Sequence, residues 1–182
     1  SGVIISDNGY IMNETFEEPV WIDCSAENVT LWNVNAKTIV FRSQVSAITI
    51  TGTSNIDRLV IAGGTGGGLS VMPLGLSKVG TLIIGDADAS NVSVGGNVER
   101  VEVTGDGLNI SISAWMQEMV VAGSDCSLTV YPGYNLGSVR FTSESRDNNM
   151  TFGSTAKSIT VGGSGNSVTG YGYAETITVT SS

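Results

Sequence analysis

The stretch KVGTLIIGDADASNVSVGGNVERVEVTGDGLNISISA, residues 78–114, decides the fold. It holds four copies of a six-position motif, beginning at Val79, Ala89, Val98 and Gly107, in which the fourth and sixth positions are always apolar. Further copies follow one another at nearly the same spacing from Ala26 to the C-terminus. A period this short, kept over most of the chain, is typical of one small unit that is stacked repeatedly.

Successive copies alternate in their first residue. In type A units this residue is apolar, as in Ile56 and Val98, whereas in type B units it is mostly small or acidic, as in Gly107 and Asp125. One type A plus one type B unit, ~20 residues, is therefore the true repeat. Because side chains alternate across a strand, the fourth and sixth positions of both types point into a gap between two facing sheets.

This pattern predicts an all-β fold: a parallel β-solenoid (β-helix) of about eight ~20-residue coils, with two short strands per coil. At ~4.8 Å per coil the rod would be ~38 Å long. An antiparallel meander also places strands about every ten residues, but it does not require the alternation of A and B units. Tight corners with positive φ are predicted two residues after type A motifs, at Gly63, Gly105, Gly123 and Gly163.

The two ends of the chain differ. Residues 1–25 fall outside the repeat and are predicted to form an N-terminal cap, since Glu17, Glu18 and Pro19 discourage edge-to-edge pairing. Residues 26–182 are predicted to form the β-solenoid domain. The chain stops soon after a regular type A unit, so we expect an uncapped C-terminal end.

Composition excludes some classes of function. The net charge is −9 with only 8 Lys and Arg, which argues against nucleic-acid binding, because phosphate contacts need clustered basic residues. No apolar run approaches the ~20 residues of a membrane span. The start at Ser1 is compatible with a removed leader. Cys24 and Cys126 would lie ~24 Å apart, too far for a disulfide, which needs Cα atoms within ~7 Å, so both are expected to be buried thiols.

The outward side of the type B units carries a hydroxyl residue between the two apolar positions of every copy. These residues are Thr30, Thr49, Ser70, Ser93, Ser111, Thr129, Thr151 and Thr169. β-propensity and hydrogen bonds between stacked hydroxyls account for such a column. The alternative is a flat surface that binds a glycan or another ordered polar lattice, and the eight residues are candidate binding residues on that ground.

The outward side of the type A units begins with an apolar stripe. Val40, Val60 and Ile83 occupy the fifth motif position in three successive coils. Such a stripe is typical of an interface with another chain; the alternative is that residues 1–25 fold back over it. Oligomers are therefore expected to form either through this stripe or through the uncapped C-terminal end.

Aromatic residues collect at the predicted corners. Trp115 and Tyr173 precede type A units, and Tyr131 follows a type B unit. Aromatic side chains in such places cover the edge of a core or stack on sugar rings. These three residues are candidate glycan-binding residues.

Recognisable catalytic chemistry is absent from the sequence. The chain has no histidine, which removes Ser-His-Asp, Cys-His and His-metal arrangements. The acids near the corner from A to B would form a column of solvated carboxylates, with Ca²⁺ binding or a glycosidase pair as alternatives. They are Asp86, Asp88, Asp106, Asp125 and Asp147. We predict no catalytic residue, no cofactor and no metal.

Segments such as KVGTLIIGDADASNVSVGG and NVERVEVTGDGLNISISA resemble β-solenoid parts of bacterial cell-surface and secreted proteins, including adhesins and S-layer-associated proteins. The resemblance implies an extracellular or cell-surface module, structural or adhesive and not catalytic, which presents flat ladder surfaces to a glycan or a surface protein. The alternative is a polysaccharide-active β-helix enzyme, a lyase or a hydrolase.

Overall fold

The structure, a computed structural model, describes residues 2–6, 8–63, 67–85 and 91–180. This part of the chain contains β-strands and no helix. The strands are β1 (Gly2–Ser6), β2 (Tyr10–Met12), β3 (Thr15–Phe16), β4 (Val20–Cys24), β5 (Asn28–Trp32), β6 (Asn35–Phe41), β7 (Ala47–Thr51), β8 (Asn55–Ile61), β9 (Leu69–Pro73), β10 (Lys78–Ile84), β11 (Asn91–Gly95), β12 (Val98–Val103), β13 (Asn109–Ser113), β14 (Met116–Val121), β15 (Ser127–Val130), β16 (Leu136–Phe141), β17 (Asn149–Phe152), β18 (Thr155–Val161), β19 (Ser167–Gly170) and β20 (Tyr173–Val179).

The strands form two sheets. The A sheet has the order β1-β4-β6-β8-β10-β12-β14-β16-β18-β20, with β3 also paired to β6, and the B sheet has the order β2-β5-β7-β9-β11-β13-β15-β17-β19. Neighbouring strands come from successive coils and run parallel. The predicted all-β parallel solenoid of about eight coils is confirmed, and the antiparallel alternative is wrong.

The core lies between the two sheets and is built from the fourth and sixth motif positions. Ile39, Leu59 and Leu82 stack in register along the A sheet, and Ile48 and Val71 stack in the B sheet; all five are fully buried. Removing one such side chain from water contributes about 1.5–3 kcal/mol. The columns of apolar pairs therefore hold successive coils and the two sheets together.

Each type A strand bends between its first and fourth motif positions. A straight strand would turn the third position inward, but Lys37 and Thr38, second and third in their unit, are exposed and half-buried. The ladder is interrupted at the second position: Ala36 pairs with Ile56 and Thr38 with Arg58, with no pair between them. This bend, repeated in every coil, shapes the surface described in the next section.

Residues 2–6 and 8–24 lie at the N-terminal end of the stack, where the cap is predicted, and they carry strands of both sheets. β1, β3 and β4 join the A sheet and β2 joins the B sheet, all in parallel pairs. The prediction that this segment falls outside the repeat missed these strands because an extra residue interrupts the motif. Phe16 takes the first position, and Val20 and Ile22 take the fourth and sixth.

The corners correct one backbone prediction. Of the four glycines expected to have positive φ, only Gly163 does. A Cβ on Gly123 would overlap the carbonyl oxygen of Gly105 in the preceding coil, so that glycine is required by close stacking. In the four C-terminal type B units the left-handed position is instead the first residue of the motif. There φ is 68°, 59°, 54° and 69° at Gly107, Asp125, Asp147 and Gly165.

Candidate binding groove

The bend in the A sheet leaves a groove that runs parallel to the axis of the stack. Its floor is the first motif position of each type A unit. One side, the first wall, is the residue before the motif, and the other side, the second wall, is the second motif position. Over the C-terminal coils the groove has a volume of about 720 Å³. The first wall there is Asn97, Trp115, Asn135, Thr155 and Tyr173, and the second wall is Glu99, Gln117, Gly137, Lys157 and Glu175.

The groove is long, narrow and open at the top. Its five coils span four steps of ~4.8 Å, so it is ~19 Å long. The second wall is lowest at Gly137, where a Cβ would overlap the backbone oxygen of Gln117. The floor is formed by Val98, Met116, Leu136 and Ala156, whose side chains are buried in the core.

Two aromatic side chains stand on the first wall. Trp115 and Tyr173 are 65% and 63% exposed, and they are three coils apart, ~14 Å along the axis. Between them Thr155 Oγ1 donates a hydrogen bond to Asn135 Oδ1 at 2.6 Å. The Asn135 Nδ2 group has no partner among the described residues. The structure thus brings two of the three predicted aromatic residues into one groove, with amide and hydroxyl groups between them.

The charges of the groove nearly cancel. Glu99 forms an ion pair with Lys78, with 2.8 Å between Lys78 Nζ and Glu99 Oε1. Lys157 and Glu175 are neighbours on the second wall, carry opposite charges and form no ion pair within the described part of the chain. The groove is therefore lined by aromatic, amide and hydroxyl groups in a nearly neutral setting, on a chain whose net charge is −9.

The predicted hydroxyl column lies on the outward face of the B sheet, but it is not continuous. Thr30 pairs with Thr49, yet Thr49 pairs with Met72, and Ser70 pairs with Ala47. From Ser70 the column continues in register through Ser93, Ser111, Thr129, Thr151 and Thr169. The eight hydroxyl residues therefore form one pair and one row of six, offset by two residues along the strands.

None of these eight hydroxyls forms a hydrogen bond with another described group. Hydrogen bonding between stacked hydroxyls, one of the two sequence interpretations, is therefore not found in the described residues. The neighbouring outward column does contain one such contact, from Ser167 Oγ to Asn149 Oδ1 at 3.1 Å. The face is flat and polar, and it has no aromatic side chain in the row from Ser70 to Thr169.

The third predicted aromatic residue is separate from the groove. Tyr131 follows β15 on the B side of the corner, and it is half exposed. Trp115, by contrast, also lines a side pocket of about 470 Å³ with Leu74 and Tyr134. Asn135, Gly137 and Lys157 were not predicted as site residues from the sequence, since their neighbourhood depends on the bend.

The apolar stripe of the A sheet is in the predicted register but is less exposed than expected. Val40, Val60 and Ile83 pair in successive coils, and Ile83 is only 8% exposed. Trp21 of β4 pairs with Val40. The described part of residues 1–25 therefore extends the stripe in the plane of the sheet, and the alternative that it folds back over the stripe is wrong.

A second charged cluster lies beside the groove. Arg100 forms ion pairs with Glu102 of its own strand at 2.7 Å and with Glu118 of the next coil at 2.5 Å. The hydrogen bond with Glu102 is the main cause that raises the pKa of Arg100 above its ordinary value, with Glu118 adding to it and burial opposing. The guanidinium thus stays charged and pairs with both carboxylates, which leaves the cluster with one net negative charge.

The corner acids do not assemble into a site in the part of the chain that is described. Asp106 Oδ1 accepts a hydrogen bond from the Ser124 N–H at 2.8 Å, and Asp125 and Asp147 occupy left-handed positions. No three His, Cys, Asp or Glu side chains meet as potential metal ligands in residues 2–6, 8–63, 67–85 and 91–180. Asp86 and Asp88 lie outside the described residues.

Both cysteines are free and buried, as predicted. The Cys126 Sγ–H donates to the Gly105 carbonyl oxygen at 3.3 Å. Burial is the main cause that raises the pKa of the Cys126 thiol.

The last described coil exposes its inward pair. Ile177 and Val179 of β20 are 64% and 66% exposed, and they border an apolar cavity of about 380 Å³ with Phe152 and Val161.

No helix of the described residues is long and apolar enough to cross a membrane.

The fold and the groove define a parallel β-solenoid whose bent A sheet forms an axial cleft with aromatic side chains on one wall. No protein-family model, curated protein or solved structure shows significant similarity to the chain.

Proposed function

We propose that this chain is a non-catalytic binding module of the extracellular space or cell surface, and that it holds a linear, neutral polysaccharide in the groove. The observation that carries the proposal is the placement of Trp115 and Tyr173 on one wall, with Asn135 and Thr155 between them. Binding sites combine aromatic surface with a few polar groups that fix orientation. A sugar ring offers an apolar face to stack on an aromatic ring and hydroxyls to bond with amides.

The shape of the groove favours a chain-like ligand. It is ~19 Å long, open at the top and parallel to the stack axis, so an extended polymer can lie in it without having to end there. An extended peptide would gain most of its affinity by pairing with a free sheet edge. The groove floor offers no such edge, because the backbone of Met116, Leu136 and Ala156 already pairs with neighbouring coils.

The charges favour a neutral ligand over an acidic one. In the C-terminal segment of the groove, Lys157 is the one lining cation that has no ion-pair partner within the described residues, and Glu175 stands beside it. The net charge of −9 repels polyanions at long range. A polymer that carries hydroxyl and amide groups but no charge avoids both costs.

The arrangement of carboxylates favours binding over turnover. Glycoside hydrolysis normally needs two carboxyl groups that flank the bond to be cleaved. In and beside the groove, Glu99 is paired with Lys78, and Glu118 is paired with Arg100. Glu175 is left as the single unpaired carboxylate among the residues that line the C-terminal segment of the groove. A lyase or hydrolase activity therefore has weaker support than simple binding.

The proposal is tested with a glycan array, followed by calorimetric titration of the wild type, Trp115→Ala, Tyr173→Ala and a matched control, Trp32→Ala. Trp32 is also half exposed but lies on the B sheet. We expect each groove variant to weaken binding about tenfold, which corresponds to ~1.4 kcal/mol, and the control to bind as the wild type does. A reducing-sugar assay on the same ligand should detect no product. Equal affinity of Trp115→Ala and wild type would refute the site, and product release would refute the non-catalytic role.

A further inference from the structure

The groove continues beyond its C-terminal segment. A second depression of about 200 Å³ lies at the N-terminal coils and is built from the same three rows. Its first wall is Thr15, Asn35 and Asn55, its floor includes Phe16 and Ala36, and its second wall is Glu17, Lys37 and Asp57. Thr15 pairs with Asn35, Asn35 with Asn55, and Asn55 with Lys78. The two depressions are therefore parts of one track along the stack.

One coil separates the two segments. Lys78, Val79 and Gly80 occupy the same three rows there, and none of them lines either depression. Lys78 belongs to the first wall, and its partner Glu99 belongs to the second wall of the next coil. Their ion pair, 2.8 Å from Nζ to Oε1, therefore crosses the groove above Val79 and Val98, which are both fully buried beneath it.

The pair is weak enough to be moved. Both side chains are 41% exposed, and an exposed ion pair shifts an equilibrium by no more than about fivefold. Neither side chain forms another ion pair within the described part of the chain. With the pair in place, a polymer in the C-terminal segment meets a barrier after ~19 Å; without it, the track from Thr15 to Tyr173 covers eight steps, ~38 Å.

We propose that the Lys78–Glu99 pair is a specificity-determining bar that limits the length of polysaccharide chain the groove holds. This inference rests on the proposed function. It assigns the N-terminal rows, including Asn55 and Lys37, as further subsites for the same neutral polymer, reached when the bar opens. Chain length beyond the C-terminal segment then brings no added affinity in the wild type.

The test measures affinity against ligand length. Chitin-derived and xylan-derived oligosaccharides, from disaccharide to decasaccharide, are titrated into the wild type, Lys78→Gln, Glu99→Gln and the charge-swapped double variant Lys78→Glu/Glu99→Lys. Arg42→Gln is the matched control, because it removes an exposed ion pair, with Asp23, outside the groove. We expect wild-type affinity to level off with length, and the two single variants to gain up to about fivefold more for the longest chains, the most that an exposed ion pair can withhold. The charge-swapped variant and Arg42→Gln should level off as the wild type does.

The outcomes separate the two proposals. If the wild type binds these oligosaccharides through Trp115 but Lys78→Gln shows the same dependence on length, the bar is refuted and the proposed function stands. If Lys78→Gln gains affinity for long chains and adding Asn55→Ala removes the gain, the bar and the N-terminal subsites are both supported. If no oligosaccharide binds to any variant, the proposed function fails and the role of the bar fails with it.

Discussion

The close stacking of coils makes Gly123→Ala the most informative stability variant. A Cβ at this position would lie 2.9 Å from the carbonyl carbon of Gly105 and would overlap its oxygen. Carbon atoms in good contact are ~3.5–4.0 Å apart, so this contact alone requires the two coils to separate locally by ~0.6–1.1 Å, and the overlap with the oxygen requires more. No side-chain rotation relieves this overlap, because the backbone of residue 123 fixes the position of the Cβ and the group that it meets is backbone.

The separation breaks specific hydrogen bonds. Ala122 N and Gly123 N both donate to Val103 O, at 2.8 and 3.2 Å, and N–H···O bonds extend to only ~3.2 Å. Each buried group left without a partner costs about 1–3 kcal/mol. We therefore expect Gly123→Ala to lower the free energy of unfolding by ~3 kcal/mol. With a urea dependence of ~2 kcal/mol/M, the midpoint should fall by ~1.5 M.

Gly107→Ala is the matched control. Its Cβ would meet no atom within 4 Å, but its φ is +68°, so the cost is left-handed strain of ~1–2 kcal/mol. Gly107→Asn should cost less, because Asn tolerates this region and Asp125 and Asp147 occupy it in the same column. Urea unfolding followed by circular dichroism checks all three. If Gly123→Ala is no more destabilising than Gly107→Ala, the coils do not approach each other as described.

Two further predictions concern charge and pH. Arg100→Met leaves the carboxylates of Glu102 and Glu118 without their shared cation, so the free energy of unfolding should fall by ~1 kcal/mol at low salt. The loss should be smaller at high salt, because salt screens exposed charges. An equal loss at both salt levels in urea unfolding would contradict this account. For Cys126, burial raises the pKa of the thiol in the folded state. The stability that the protonated thiol confers is therefore complete below ~8.5, the pKa of the thiol in the unfolded chain, and is lost as the pH rises above that value. The difference in urea midpoint between wild type and Cys126→Ala should therefore shift against the wild type above that pH, and a difference that stays constant with pH would refute it.

The core could be predicted from the sequence because one rule governs every coil. The fourth and sixth motif positions alternate with outward residues, and a shift by one residue would turn the whole apolar set to solvent. Leu59, Leu82 and Val101 therefore had to stack. The two-sheet parallel architecture followed from the alternation of A and B units, which an antiparallel meander would not require.

A shift by two residues escapes the same rule. The stretch Leu69–Pro73 alternates throughout, so pairing Ile48 with Leu69 or with Val71 buries an apolar residue in either case. The structure pairs Ile48 with Val71 and Ile50 with Pro73, which breaks the predicted hydroxyl column between Thr49 and Ser70. Periodicity alone cannot choose between two alignments that both satisfy the core.

The groove could not be located from the sequence, although one signal was present. Two consecutive polar positions between the first and fourth motif residues, as at Lys157 and Ser158, are incompatible with a straight strand. That signal indicates a bend, but it does not give the depth of the cleft. Only the register of successive coils brings Trp115 and Tyr173 to the same wall as Asn135.

The central claim, that ligand binds in the axial groove and not on the hydroxyl face, is tested most directly by NMR chemical-shift mapping with the tightest oligosaccharide from the panel. We predict shifts at the backbone amides of Trp115, Asn135 and Tyr173 and at the Trp115 indole N–H, with no change at Ser111 and Thr129. Shifts confined to the row from Ser70 to Thr169, with the groove amides unmoved, would contradict the account.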